Sequence, residues 1–210
     1  MFKNIIFDFD GVIINSHDVQ KKALKESYRK IVGKGEPPYN EFFLLSGDSL
    51  ENIFVKLGLP LTMLPIYVEV SRNNMKSIKI QKGMVELLQE LNLNGYNCAL
   101  CTGKERRRTI EILKYHKLER YFKFVVCSDD VKNAKPHPDS LQIIMKKLKA
   151  SSNNSVMVGD GVNDILAAKN AGIKSIAVAW GDVPEKELQK YDSEYIVTKA
   201  EDIRKIIFDI

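Results

Sequence analysis

The chain of 210 residues has no uninterrupted apolar stretch approaching the roughly 20 residues that a membrane-spanning helix needs. Its first ten residues hold one lysine and then aspartates inside an apolar run. That is not the pattern of a secretory leader and predicts a cytoplasmic protein. Cysteine is scarce: Cys98, Cys101 and Cys127 are the three in the chain. The first two make a C-x-x-C, but within Tyr96-Asn97-Cys98-Ala99-Leu100-Cys101, which reads as a strand. Residues i and i+3 of a strand point to opposite faces, and no second C-x-x-C or histidine cluster completes a zinc set. Both a redox pair and a zinc site are therefore disfavoured. Strong charge of one sign is also missing. The net charge is +5, and no basic stripe is joined to aromatic residues, so a nucleic-acid partner is not predicted. Arg106-Arg107-Arg108 is the one basic cluster and is assigned to solvent or to the rim of a site for an anionic substrate. There is no internal repeat and no low-complexity tract.

What is present is an alternation. Apolar strand-like runs fall at 3–8, 96–101, 123–127, 155–159 and 174–179, with a weaker one at 194–197. Helical patterns lie between most of them, at 83–94, 105–116, 139–149 and 162–171, and a last helix at 200–208 closes the sheet. Such β-α alternation predicts an α/β fold with a parallel sheet covered by helices on both faces. Residues 16–80 break the pattern. They hold helical segments at 17–32, 39–46, 48–57 and 61–77, punctuated by Pro37-Pro38, Gly47, Gly58 and Pro60. A stretch this long is not a plain loop. It reads as a small helical unit inserted after the first strand, with hinges near 14–17 and 78–82. The expected division is a core of 1–15 and 81–210 and an inserted domain of 16–80.

In open α/β sheets, sites form beyond the carboxyl ends of the strands. Asp8 and Asp10 follow the first strand, Thr102-Gly103-Lys104 the second, Lys135 the third after a short excursion, and Gly159-Asp160 through Asp164 the fourth. Two carboxylates at the end of a buried strand need a compensator, and a divalent cation is the obvious one. Asp8 stands where a carboxylate nucleophile would attack phosphorus, giving an aspartyl-phosphate that water hydrolyses. Asp10 can protonate the leaving oxygen and then take a proton from the attacking water. Asp160 can bind an oxygen-loving cation such as Mg²⁺. Asp164, four residues on, can hold a metal-bound water or orient a lysine. Thr102 and the Gly103 and Lys104 amides can bind phosphate at a helix N-terminus. Lys135 can screen the repulsion between nucleophile and phosphate.

These residues resemble the motifs of the haloacid dehalogenase-like hydrolase superfamily over essentially the whole chain. Asp8-Phe9-Asp10-Gly11-Val12 is similar to its first motif, Thr102 to the second, Lys135 to the third, and Gly159-Asp160 through Asp164 to the fourth. The resemblance implies a Rossmann-like core, a helical cap at 16–80 that closes over substrate, and Mg²⁺ dependence. It also implies that Asp8 and Asp160 hold the metal by side chain and Asp10 by its backbone carbonyl, with Asp164 in an outer position. The expected activity is a phosphatase acting on a small phosphorylated metabolite, as in phosphoglycolate phosphatases, in a monomer or homodimer. The alternatives are a sugar phosphomutase of the β-phosphoglucomutase type and a non-catalytic binding protein of the same fold. The acid at Asp10 argues against dehalogenase chemistry. Gln20, where mutases of this type carry a histidine, argues against a mutase. Asn15-Ser16 departs from the Asp-Ser or Asp-Thr usual in phosphoglycolate phosphatases. In the cap, Phe42, Phe43, Ser46, Gly47, Asp48 and Ser49 are the expected substrate-facing set, with at least one phenylalanine assigned to the cap core instead. His17 is read as a surface residue of the hinge helix.

Overall fold

The computed structural model describes residues 2–209. The chain begins with β1 (Asn4–Phe7), all four residues of which are buried. Ile5 and Phe7 turn to one face of the sheet and Ile6 to the other, as a strand's period of two requires. A short β2 (Ile14–Asn15) leads into four helices: α1 (His17–Ile31), α2 (Tyr39–Leu44), α3 (Leu50–Lys56) and α4 (Leu64–Asn73). The chain returns through β3 (Lys79–Ile80). It then alternates as α5 (Met84–Leu93), β4 (Asn97–Cys101), α6 (Arg106–Tyr115), β5 (Phe124–Val126), α7 (Asp139–Leu148), β6 (Ser155–Gly159), α8 (Val162–Asn170) and β7 (Lys174–Val178). It closes with α9 (Glu185–Leu188), β8 (Tyr195–Val197) and α10 (Ala200–Phe208).

Six strands form one parallel sheet in the order β5-β4-β1-β6-β7-β8. The chain runs outward from β1 through β4 to β5, then crosses back to β6 on the other side. β1 and β6 therefore flank the point where the winding reverses, the crevice where open α/β sheets place their ligands. Helices α5, α6 and α10 cover one face with Leu88, Leu91, Leu113 and Ile203; α7 and α8 cover the other with Leu141, Ile144, Ala167 and Ala168. Burial on both faces explains why the strands read as continuous apolar runs rather than alternating ones. Cys98 and Cys101 belong to the cores on opposite faces, and all three cysteines are free and buried.

The four inserted helices build a separate core from Leu24, Phe42, Phe54, Met63 and Tyr67. Its rings pack edge to face, with centroids 5.9 Å apart for Phe54 and Tyr67. This unit is the cap. Where it joins the sheet domain, β2 and β3 pair antiparallel, Ile14 with Ile80 and Asn15 with Lys79. The two hinge segments are thus tied to each other as a ribbon.

Several helices are shorter than their apolar patterns. Residues 61–77 are a 3₁₀ turn at Leu61–Met63, then α4, then a second turn at Met75–Ser77. Pro65 lies in the first turn of α4, where its missing N–H costs nothing. The segment 48–57 becomes helical only from Leu50, because the Ser49 side chain caps it by accepting from the Asn52 amide at 3.3 Å. Among the described residues no helix is long and apolar enough to cross a membrane.

Phe54 is wholly buried at the centre of the cap. Phe54→Ala is expected to cost about 3–5 kcal/mol of stability in urea unfolding. An unchanged midpoint would mean that the cap has no packed centre there.

Candidate active site

The polar residues at the carboxyl end of the sheet converge. The Asp8 amide donates to Val158 O at 2.8 Å, and the Thr102 amide to Val126 O at 3.0 Å, so each residue extends its strand by one pairing. Lys135, from the loop after β5, is buried among three acceptors. Its Nζ lies 2.7 Å from Asp8 Oδ1, 2.5 Å from Asp164 Oδ1 and 3.1 Å from Cys101 O. The second oxygen of Asp164 accepts the Gly161 amide at 3.0 Å, which fixes that carboxylate in the first turn of α8. Of the two roles open to Asp164, the geometry displays the orientation of a lysine.

Asp10 faces the cap. Its Oδ1 accepts from Ser16 Oγ at 2.5 Å, and its Oδ2 pairs with Lys104 Nζ at 3.1 Å. Ser16 in turn accepts from Gln20 Nε2 at 2.9 Å, and Gln20 Oε1 accepts from the Tyr67 hydroxyl at 3.3 Å. A line of hydrogen bonds therefore runs from α4 through α1 to Asp10. The Lys104 amide donates to Thr102 Oγ1 at 3.2 Å, closing the turn before α6.

Charge at this end of the sheet is out of balance. Ligand atoms of Asp8, Asp160 and Asp164 lie within 4.8 Å of one another, all buried. Burial pushes the Asp8 carboxyl up to about 7, although Lys135 pulls in the other direction. Asp160 is held well above the usual carboxylate range by burial and then by the carboxylates of Asp182, Asp8 and Asp164. Burial alone would lower the Lys135 ammonium, but Asp164 and Asp8 outweigh it and hold it above its ordinary value. Asp160 Oδ2 accepts the Asp182 amide at 2.6 Å, whereas Asp160 Oδ1 is buried with no hydrogen-bond partner. A Cβ on Gly11 or Gly181 would overlap the Asp160 carboxyl, so these two glycines make room for it. An orphaned carboxylate oxygen beside a second buried carboxylate is a donor set that fits a hard divalent cation. Asp8 and Asp160 have oxygens to offer it; both oxygens of Asp164 are already engaged.

The cap sits directly on this surface. Asn163 Nδ2 donates to the carbonyls of Leu45 and Ser46, both at 3.0 Å. A Cβ on Gly161 would lie 2.5 Å from Ser46 O, and one on Gly103 would overlap Asp48 O. Two core glycines are therefore the seats on which the 45–48 loop rests. The closed arrangement leaves a cavity of about 50 Å³, small beside the roughly 300–1,000 Å³ of drug-sized sites. Asp8, Asp10, Thr102, Gly103 and Lys104 line it from the core, and Gln20, Phe42, Phe43, Ser46, Gly47, Asp48 and Tyr67 from the cap.

The expected cap set divides. Ser46 and Gly47 reach the cavity, but Ser49 does not line it, being spent as the cap of α3. The Asp48 carboxylate turns into the same helix, accepting from the Ser49 amide, Asn52 Nδ2 and Lys56 Nζ at 2.7, 2.9 and 2.6 Å. Phe42 and Phe43 both belong to the cap core and both line the cavity. The arginine cluster also divides. Arg106 pairs with Asp130, Arg107 with Glu111, and Arg108 is buried against the cavity, not placed in solvent. His17 stays at the surface of the hinge helix, its side chain 41% exposed, but it is engaged: its ring stacks on Phe43 at 4.0 Å, and its Nδ1 lies 2.7 Å from Asp182 Oδ1. Its pKa is raised, chiefly by the hydrogen bond to Asp182.

Sequence reasoning missed Asp182 and the Gln20–Tyr67 contact, and did not tell which arginine of the 106–108 triplet reaches the site. Asp182 follows β7 within the Trp180-Gly181-Asp182 turn, and its position at a fifth strand end was the available signal. Arg108 carries no local signal beyond its place in a basic triplet.

A family model described as haloacid dehalogenase-like hydrolase matches residues 5–178. Pyrophosphatase PpaX of Bacillus mycoides (strain KBAB4) is 30% identical over 207 residues, covering 97% of this chain and 95% of its own. A hydrolase from Pseudomonas syringae superposes with a TM-score of 0.88 at 22% identity, covering 99% of each chain. A haloacid dehalogenase-like family hydrolase from Streptococcus pneumoniae gives a TM-score of 0.85 at 21% identity over 98% of each. At such identities the two structures speak for the fold alone.

Two outcomes are expected. The raised Asp8 and Asp160 carboxyls bind protons more tightly in the folded than in the unfolded chain. Their contribution to stability is present below the ordinary carboxylate pKa of 3.8 and is lost as pH rises, for Asp8 through about 7. A divalent cation must displace those protons. In thermal melts, Mg²⁺ should therefore raise the Tm more at pH 8 than at pH 5.5, and equal increments would contradict the buried donor set. Gly161 has an ordinary extended backbone, φ −110°, so an added methyl meets only its neighbours. Gly161→Ala should keep the fold but unseat the 45–48 loop, seen as faster proteolysis there; unaltered cleavage would mean that the loop is not seated on this glycine.

Proposed function

The chain belongs to the haloacid dehalogenase-like hydrolase family, and from that premise we propose that it is a Mg²⁺-dependent phosphatase of small phosphorylated compounds. The observation that carries the reading is the Asp8 carboxylate. It is buried at the end of β1, has one oxygen held by Lys135, and borders the closed cavity.

In this reading Asp8 attacks the phosphorus of a bound phosphoryl group, forming an aspartyl-phosphate and releasing the leaving oxygen. Lys135 favours the anionic form of Asp8 against the effect of burial and offsets its repulsion from the incoming phosphate. Thr102 Oγ1 and the Gly103 and Lys104 amides bind the phosphoryl oxygens. Asp10 delivers a proton to the leaving oxygen and later takes one from the water that opens the intermediate. The hydrogen bond it accepts from Ser16 and its ion pair with Lys104 fix the carboxyl for both steps. Asp8, Asp160 and the Asp10 backbone carbonyl would hold the Mg²⁺, with Asp164 orienting Lys135 behind them. When bound, the ion supplies neutralisation of the negative charge gathered on the phosphoryl oxygens. Residues 16–80 act as the cap over a core of 1–15 and 81–210, excluding water while Asp8 reacts.

A phosphatase is favoured over a mutase because Gln20 is committed to Ser16 and Tyr67 and brings no imidazole to the cavity. An intact set of Asp8, Asp10, Lys135 and Asp160 speaks against a non-catalytic protein. Within the phosphatase reading, the relatives named pyrophosphatase favour a phosphoanhydride as substrate beside monoesters.

Asp8→Asn is expected to lower kcat about 10⁴-fold or more on any phosphorylated substrate that the wild type turns over. EDTA should abolish turnover and Mg²⁺ restore it. Substantial activity in Asp8→Asn, or turnover indifferent to EDTA, would sink this reading.

A further inference from the structure

Arg108 is a core residue that reaches toward the cap. It lies in the first turn of α6, is buried, and borders the cavity. Its Nε donates to Glu105 Oε1 at 2.5 Å and its Nη1 to Ser71 Oγ of α4 at 3.2 Å. The guanidinium carbon stands 5.8 Å from the Tyr67 ring centre. Among the described residues no hydrogen bond engages Nη2.

The other cations of the site, Lys104 on the cavity wall and Lys135 behind it, are committed. Lys135 serves Asp8 and Asp164, and Lys104 serves Asp10. Arg108 has only the half-buried Glu105 as an ionic partner, so part of a permanently charged fork is left facing a confined space. The idle edge of the fork is therefore available to an anionic group in the cavity. Its location tells which part of a ligand it meets. Asp10, the acid proposed for the leaving oxygen, lines the same cavity. The phosphoryl-binding turn at Thr102–Lys104 lies on the core side, whereas Arg108 touches Ser71 and Tyr67 of the cap. Arg108 therefore flanks the leaving group rather than the transferred phosphoryl group.

We infer that Arg108 binds an anionic group carried by the leaving portion of the substrate, a carboxylate or a second phosphate. Its planar fork suits either, since both present paired oxygens. The cavity, about 50 Å³ in all, favours a small leaving portion. This inference rests on the phosphatase reading and places selectivity in a core residue, not in the 46–49 loop.

The test compares kcat/KM for two probes whose leaving portion is anionic, inorganic pyrophosphate and phosphoglycolate, with that for 2-hydroxyethyl phosphate, near-isosteric with phosphoglycolate but with an uncharged leaving portion. Wild type is measured beside Arg108→Lys, Ser71→Ala and the double variant Glu105→Gln/Arg108→Gln. The double variant leaves no unpaired buried charge and so guards against misfolding. A charged hydrogen bond of ordinary strength predicts that the anionic-to-neutral ratio falls about 10- to 100-fold in the double variant, mainly through KM. Arg108→Lys, which keeps charge but loses the fork, should give an intermediate ratio. Ser71→Ala, which removes only the contact to the cap, should keep the wild-type ratio. A ratio unmoved by either Arg108 variant, or moved as far by Ser71→Ala, would show Arg108 to be a clamp between cap and core and overturn the inference. A wild type inactive on all three probes and on other small phosphate esters would instead overturn the phosphatase reading, and this inference with it.

Discussion

Lys135 places one ammonium among buried carboxylates at the end of a parallel sheet, and the rest of the site is arranged around that pairing. Its bonds to Asp8 and Asp164 join the first strand to the first turn of α8, the two elements that border the reversal of winding. One positive charge does not neutralise Asp8, Asp160 and Asp164 together. Burial first, and then the neighbouring carboxylates, raise the carboxyls of Asp8 and Asp160, and Asp160 Oδ1 is without a partner among the described residues. A buried ion cluster of this kind is poor at stabilising a fold. It is well suited to holding a cation and a phosphoryl group, each of which brings the charge that the other needs.

The cap completes the enclosure through contacts that depend on missing side chains. Gly103 and Gly161 let the carbonyls of Asp48 and Ser46 approach the core backbone, and Asn163 fastens the same loop. Further links tie cap to core: the hydrogen-bond line from Tyr67 through Gln20 and Ser16 to Asp10, the His17–Asp182 pair with His17 stacked on Phe43, Arg108 with Ser71, and Arg72 with Glu111. The cap thus contributes directly to the setting of Asp10. The β2–β3 ribbon holds the entry and exit of the cap side by side, so movement there is confined to a shared hinge.

The sheet, its helices and the residues at the strand ends were legible in the sequence because each is a local pattern. Apolar runs give buried strands, helical spacing gives their covering layers, and Asp8, Thr102, Lys135 and Asp160 each follow a run directly or after a short loop. The legible part ended where meaning depends on contacts between distant segments. Ser49 looked like a cavity residue because nothing local distinguishes a loop serine from an N-cap until the helix start is known. Arg106, Arg107 and Arg108 are equivalent as letters; the turn of α6 sends one to Asp130, one to Glu111 and one into the cavity. His17 became a partner of Asp182 across 165 positions of sequence, a pairing that no periodicity reveals.

The central claim is that Asp8 carries the phosphoryl group between substrate and water. Rapid acid quenching during turnover with Mg²⁺, followed by peptide fragmentation in the mass spectrometer, tests it most directly, since acyl phosphates survive acid long enough to be mapped. The account predicts a phosphoryl group on Asp8, formed and lost at rates compatible with kcat. Turnover with no phosphorylated peptide, or with the group on Asp10 or His17 instead, would contradict it.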